Sequence, residues 1–227
     1  MIDLSADLGE GSPGEEELWP LITSANVACG GHIGDEHSMG EAAWRAHEHG
    51  VRLGAHPSYP DRPNFGRKSL SMPPDELRAS LIAQISALAA FAPVHHVKPH
   101  GALYNDAHKD RALAEVIVSA LDPSMAIVAP DHSQMAAAAR DAGLRVIREA
   151  FADRRYEADG SLTPRSHRYS TLTVIESFVQ ASLLITDHVV TARDGTRVAI
   201  AFDTICIHAD MPGAVERARA IRTRLGA

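Results

Sequence analysis

Cysteine is scarce in this chain. Cys29 and Cys206 are the only two, too few for a disulfide framework, and they read as small reduced core or site residues of a cytoplasmic protein. Long apolar runs are missing as well. Nothing approaches 18 consecutive apolar residues, so no transmembrane helix is expected. Positive charge is in deficit: the formal net charge is −7 with histidine neutral, which argues against nucleic acid or an acidic membrane surface as the main partner. The opening Met1-Ile2-Asp3-Leu4-Ser5-Ala6-Asp7 has no basic stretch leading into a long apolar one, so no secretory leader is expected. No G-x-x-x-x-G-K-[ST] loop occurs, because the run of Gly9, Gly11 and Gly14 lacks the lysine and the helix register that should follow. A G-x-S-x-G nucleophile elbow is absent too.

What is present is an ordinary globular composition, 45% apolar and 22% charged, enough for a sizeable core. Its 227 residues fit one (β/α) barrel as a single domain over 1–227. Strands are expected over 2–8, 24–29, 51–55, around Val97, and over 125–129, 145–151 and 204–207. Helices are expected over 15–22, 36–49, 73–88, 110–121, 133–142 and 174–188, with a last one running to about Leu225. Asp194-Gly195 between two β-rich runs is a hairpin signal. Strand and helix alternate about seven times without a linker, which argues for an α/β domain with a parallel sheet, closed into a barrel.

The segment His95-His96-Val97-Lys98-Pro99-His100-Gly101-Ala102-Leu103-Tyr104-Asn105 concentrates three histidines, a lysine, a tyrosine and an asparagine. Period-2 geometry puts His96, Lys98 and His100 on one face, as it does Asp3, Ser5 and Asp7. Read alone, such a segment has a solvated strand edge as its lesser reading. Yet nearly every strand ends in chemically capable residues: Asp7 and Glu10, His32 and Asp35, His56 and Asp61, Lys98, His100 and Asn105, Asp153 and Arg154, His208 and Asp210. In a parallel barrel these ends converge on one face. Asp7, His56 and His100 would there suit a two-histidine, one-carboxylate metal site. Without a metal, Asp7 or Glu10 is a candidate base, a neighbouring histidine an acid or base, and Lys98 a stabiliser of an oxyanion or phosphate. A nucleophilic role for either cysteine is weaker than that of a buried inert thiol.

The chain carries, in order, Ser5-Ala6-Asp7-Leu8-Gly9-Glu10, Ser24-Ala25-Asn26-Val27-Ala28-Cys29-Gly30 with His32 and Gly34-Asp35, and Gly54-Ala55-His56-Pro57-Ser58-Tyr59-Pro60-Asp61 with Phe65-Gly66-Arg67. The segment from His96 to Asn105 follows, then Glu149-Ala150-Phe151-Ala152-Asp153-Arg154 with Tyr156, Leu162-Thr163-Pro164-Arg165-Ser166, and Asp203-Thr204-Ile205-Cys206-Ile207-His208. With these motifs the chain resembles the LamB/YcsF family of bacterial 5-oxoprolinase A subunits, and the resemblance runs over essentially its whole length. It implies a barrel of about seven strands of the glycoside hydrolase/deacetylase type. It also implies ATP-dependent opening of 5-oxo-L-proline to L-glutamate together with subunits B and C. ATP, a divalent metal (magnesium for the nucleotide, or a site-bound ion) and a small-molecule substrate follow as ligands. The catalytic candidates are then Asp7, Glu10, His32, Lys98, His100 and Asp153, and the substrate-binding ones Asn26, His56, Tyr104, Asn105, Arg154 and His208. The chain departs from the family pattern at Ser5 for Asn, Gly31 for an aromatic and Ala209 for Gly, in a shorter 11–17 segment, and in the lack of a Pro-Gly turn over 167–173. Two other readings share these residues: a metal-dependent deacetylase or amide hydrolase of similar fold, and a subunit that is not catalytic in isolation.

Overall fold

A computed structural model describes residues 2–226. Seven strands close into a parallel barrel: β1 (Asp3–Leu8), β2 (Ser24–Ala28), β3 (Arg52–His56), β4 (His96–Val97), β5 (Ala126–Ala129), β6 (Arg145–Phe151) and, after a hairpin, β9 (Thr204–His208), which sits between β6 and β1. The hairpin, β7 (Val189–Thr191) with β8 (Arg197–Ala199), turns at the expected Asp194-Gly195. Among the described residues eight helices accompany the strands: α1 (Glu15–Leu18), α2 (Glu36–His49), α3 (Pro74–Ala89), α4 (Gly101–Ala107), α5 (Arg111–Ser119), α6 (Gln134–Asp141), α7 (Val174–Asp187) and α8 (Ala214–Arg224). Local chemistry sets many of their ends. Asp35 and Thr173 close capping boxes at the starts of α2 and α7, and Gly50 stops α2 in the left-handed conformation.

The expected elements are found, with three differences. The helix expected over 15–22 is one α turn followed by a short 3-10 turn, Trp19–Leu21, because Pro20 cannot continue the α ladder. The fourth strand is only two residues long, since Pro99 cannot donate to a neighbouring strand. The rest of that segment becomes a helix that alternation alone did not reveal, α4, whose first residue Gly101 packs against the carbonyl of Gly66. A side chain at Gly101 would lie 2.5 Å from that oxygen, at a φ of +59°.

The alternation in β1 decides how the barrel is filled. Leu4, Ala6 and Leu8 join the fully buried apolar core, together with Leu18, Val27, Leu81, Leu103, Met135 and Ile207. The other face carries Ser5 and Asp7, and with Ser24, Asn26, His96, Glu149 and Thr204 it gives a buried polar set linked by hydrogen bonds. Register places Asp7 opposite Asn26, Asn26 opposite Gly54, and Gly54 opposite His96. Gly54 has no side chain, so the His96 ring crosses it to donate from Nε2 to Asn26 Oδ1 at 2.9 Å. Asn26 Nδ2 in turn donates to Asp7 Oδ1 at 2.9 Å. A Cβ on Gly54 would stand 2.1 Å from His96 Nε2.

Two outcomes follow. Gly54→Ala displaces the His96 ring and is expected to cost roughly 1–3 kcal/mol through overpacking, read as a lower urea midpoint. The second concerns pH. Burial holds His96 neutral down to about 4, whereas an unfolded histidine titrates near ~6.5. Between those values the unfolded chain binds the extra proton, so stability falls as pH drops, by at most about 1.4 kcal/mol per pH unit from this one group. Urea titrations at pH 7 and pH 5 should show a smaller loss in His96→Gln, which keeps the donor to Asn26 and removes the titration.

Candidate active site

The C-terminal ends of the strands open into one cavity of about 1160 Å³, lined among others by Asp7, Glu10, His56, Lys98, His100, Tyr104, Arg154 and His208. At its floor is Lys98. The ammonium is 2.8 Å and 3.1 Å from the two oxygens of Asp7, 3.1 Å from Cys206 Sγ, and 2.8 Å from Glu149 Oε1, the last an ion-pair contact without hydrogen-bond alignment. Burial works against every charge here. It would lower Lys98, but Asp7, Cys206 and Glu149 outweigh it and hold the ammonium well above its usual range. Burial would raise Asp7, yet Lys98, then His56 and His208, keep its carboxyl well below. Both thiols are pushed up by burial, Cys29 to about 12, so neither is a thiolate nucleophile.

Beside this pair lies an imidazole cluster. His56 Nδ1 donates to the Lys98 carbonyl at 2.7 Å, and His100 Nε2 donates to the Phe65 carbonyl at 3.1 Å. These contacts assign the tautomers and leave His56 Nε2 and His100 Nδ1 as lone pairs, facing each other at 3.0 Å. Glu10 Oε1 completes the group, 3.3 Å from His100 Nδ1 and 3.9 Å from His56 Nε2, while accepting from His32 Nε2 at 3.2 Å. His32 stacks on His100 with centroids 3.7 Å apart. Burial pushes His56 down to about 3, with Asp7 opposing the shift and His100 and Lys98 adding to it, so its ring is neutral near pH 7. Burial also lowers His32, whereas Glu10, despite burial, is held below the usual carboxylate range by His100 and His32.

A third group is a dyad. His208 Nδ1 donates to both oxygens of Asp153 at 3.0 Å, the His208 backbone N–H donates to Asp153 at 2.7 Å, and the ring stacks on Phe151. Asp153 is fully buried, which leaves His208 Nε2 as the free nitrogen of the pair. Arg154 is also buried, and its Nε and Nη2 are spent on the carbonyls of Ser170 and Thr163. No carboxylate pairs with it among the described residues.

The sequence expectations are therefore redistributed. Asp7, Glu10, Lys98 and His100 line the cavity together with His56, Arg154 and His208. His32 and Asp153 stand behind that lining and orient Glu10 and His208. Asn26 is fully buried beneath Asp7 and holds that carboxylate. Tyr104 lines the cavity, but its hydroxyl is committed to Glu149 at 2.7 Å, and Asn105 sits exposed at the rim with its amide on Gly101. The expected metal triad of Asp7, His56 and His100 has Glu10 beside it as a further carboxylate. Asp7 Oδ2 stays 3.5 Å from His56 Nε2 while its oxygens also meet Lys98 and Asn26, and the ligand atoms that cluster within 4.8 Å of one another are those of Glu10, His56 and His100. Glu149 and His96 were missed as site residues. Their only signal was the inward register of β6 and β4.

A closed seven-stranded (β/α) barrel whose strand ends gather acids and imidazoles around one cavity is the architecture of a hydrolase-type barrel. The chain belongs to the LamB/YcsF family, whose model matches residues 2–227. It is 47% identical over 240 residues to a protein of Methylococcus capsulatus (strain ATCC 33009 / NCIMB 11132 / Bath) named as the A subunit of 5-oxoprolinase, covering 100% of this chain and 92% of the relative. A second relative of that name, from Staphylococcus carnosus (strain TM300), is 42% identical over 238 residues, covering 99% and 94%. The crystal structure of a lactam utilization protein from Thermus thermophilus superposes with a TM-score of 0.92 at 42% identity, covering 99% of this chain and 96% of that one.

Lys98 carries a direct test. Lys98→Met removes the one ammonium shared by two buried carboxylates and is expected to cost about 3–5 kcal/mol of stability. Denaturant unfolding at pH 7 reads the loss, and an unchanged midpoint would show that the two carboxylates do not need it.

Proposed function

We propose that this chain is the A subunit of an ATP-dependent 5-oxoprolinase, a single domain working in the cytoplasm with subunits B and C to open 5-oxo-L-proline to L-glutamate. The observation that supports it most is the pairing, in one cavity, of a buried cation without a carboxylate partner, Arg154, with an oriented imidazole, His208, and a low-pKa carboxylate, Glu10. A lactam bearing a carboxylate needs those three things: an anchor, a proton donor and a base.

An unstrained five-membered lactam is a poor electrophile, and glutamate can reclose, so ATP supplies the drive. Transfer of the γ-phosphoryl group to the lactam oxygen releases ADP and activates the ring carbon. Water adds to that carbon, the carbon–nitrogen bond breaks as the nitrogen takes a proton, and the acyl phosphate loses phosphate to a second water. In this reading Glu10 accepts the proton of the attacking water. His208 gives a proton from Nε2 to the ring nitrogen when it acts as the doubly protonated imidazolium, whose Nδ1–H Asp153 holds, and is left as the neutral ring. Arg154 holds the substrate carboxylate. Lys98 is not free to bind an anion, since Asp7 and Glu149 already surround it; its role is to keep Asp7 ionised and fixed.

A second reading, a metal-dependent amide hydrolase, is favoured by the facing lone pairs of His56 and His100 beside Glu10. Two nitrogens and a carboxylate oxygen suit a borderline divalent ion, which when bound would polarise a carbonyl or acidify water. Metal analysis of protein purified without chelator, combined with lactam and acetamide assays, separates the two.

Glutamate release from 5-oxoproline should require ATP and the partner subunits, with Glu10→Gln and His208→Asn each lowering kcat by roughly 10²–10⁴-fold. Release by the isolated chain without ATP would reject the coupled reaction. Full activity of both variants would reject the residue roles.

A further inference from the structure

Helix α7 turns a stripe of Ser177, Gln180, Ala181 and Leu184 into the protein. Positions three and four apart share one face of a helix, and a glutamine is out of place on a buried one. An amide taken out of water needs partners. Gln180, only 5% exposed, finds them on one short stretch of backbone. Its Nε2 donates to the carbonyls of Phe151, Ala152 and Arg154 at 2.7 Å, 3.3 Å and 2.8 Å. The Asp153 carbonyl in the same stretch accepts from the Leu172 N–H, just ahead of α7, at 2.9 Å.

This stretch is where β6 runs out of sheet. Its register with β5 ends at Arg148 and its register with β9 at Phe151. The four carbonyls from Phe151 to Arg154 therefore take their donors from α7 and the residue leading into it. Asp153, which holds His208 by ring and backbone, stands on this stretch, and so does Arg154, which lines the cavity. Helix α7 is itself braced from α8. The buried Arg217 donates from Nε to Ser177 Oγ at 3.0 Å and from Nη2 to the Leu172 carbonyl at 2.9 Å.

We propose that Gln180 is a positioning residue: its amide fixes the end of β6 so that Asp153 meets His208 and Arg154 faces the cavity. It is outside the cavity lining and touches no substrate. The inference deepens the lactam reading, in which His208 is the proton donor and Arg154 the anchor. A shift well under 1 Å at this strand end would misplace both, and misplacement on that scale lowers turnover by an order of magnitude or more. Gln84 supplies a matched control. It is a second buried glutamine, on α3, and holds Ser58 after β3 by donating to its carbonyl at 2.9 Å and accepting from its N–H at 3.0 Å. That strand lies three places round the barrel from β6.

Proton–nitrogen correlation spectra of the histidine rings in the full-length chain read the contact without activity. His208 should show a protonated Nδ1, its signals assigned by their loss in His208→Asn. Gln180→Met keeps the length of the side chain and loses the donor; it should shift the His208 Nδ1 signal or mix the two ring tautomers. Gln84→Met should lower the urea midpoint by a similar amount and leave the His208 signals in place. With the partner subunits and ATP, Gln180→Met should lower kcat on 5-oxoproline by about tenfold or more and raise KM. Gln180→Glu, with at most one proton for three carbonyls, should move the His208 signals in the same sense and serves where the methionine variant does not fold. Unchanged His208 signals in a folded Gln180 variant would overturn the proposal, as would an equal change in Gln84→Met. Shifted signals in a protein whose parent releases no glutamate would support the positioning role and count against the lactam reading alone.

Discussion

One ammonium holds the barrel's centre together. Lys98 is enclosed by Asp7 and Glu149 with Cys206 against it, all of them buried. Isolated charges at such depth are prohibitively costly, and two carboxylates without the cation would repel each other as well. The lysine therefore determines which groups at the floor stay ionised. It also fixes Asp7 against Asn26, and so ties β1, β2, β4, β6 and β9 together through side chains where a barrel of this size is more often filled by branched apolar residues.

That arrangement needs room. The polar filling is possible because its neighbours are small: Gly54 lets the His96 ring cross to Asn26, and Ser5 meets Thr204 by a hydroxyl pair at 2.9 Å. The apolar work moves to the outer face, where alanines, leucines and valines of the strands meet the helices. Stability and chemistry are thus assigned to opposite faces of the same strands, and a one-residue slip in any of them would exchange the two.

Much of this was legible in the chain. The alternation of Asp3, Ser5 and Asp7 with Leu4, Ala6 and Leu8 named the inward face of β1, and the polar strand ends named the working end of the barrel. What could not be read was reach. Asp7 looked like a metal ligand because aspartate, histidine and histidine recur at strand ends. The turn at Gly9 instead carries Glu10 up to His56 and His100, while Asp7 is drawn down to Lys98. Asn26 shows the same limit, since its place within β2 said nothing of its being sealed beneath a carboxylate. Helix α4 was hidden for a local reason. Gly101 breaks a pattern in sequence, but here it lets a helix begin against Gly66, and that contact brings His100 to His56.

The floor and the rim of the cavity then differ in electrostatic kind. At the floor, Asp7, Glu149 and Glu10 outnumber the one ammonium, while burial keeps His56 and His32 from adding positive charge near neutral pH. Toward the rim Asp131, Glu157 and Asp210 are neutralised by arginines, and among the described residues two lining cations have no carboxylate partner, the exposed Lys109 and, deeper in, the buried Arg154. An anionic molecule entering from solvent meets compensated acids and free cations first. Arg154 attracts the charged end of such a molecule and the carboxylates at the floor repel it, so its uncharged end faces the carboxylates and imidazoles. The order of charges along the cavity, more than any single residue, decides which end of an anionic ligand faces the inner acids and imidazoles.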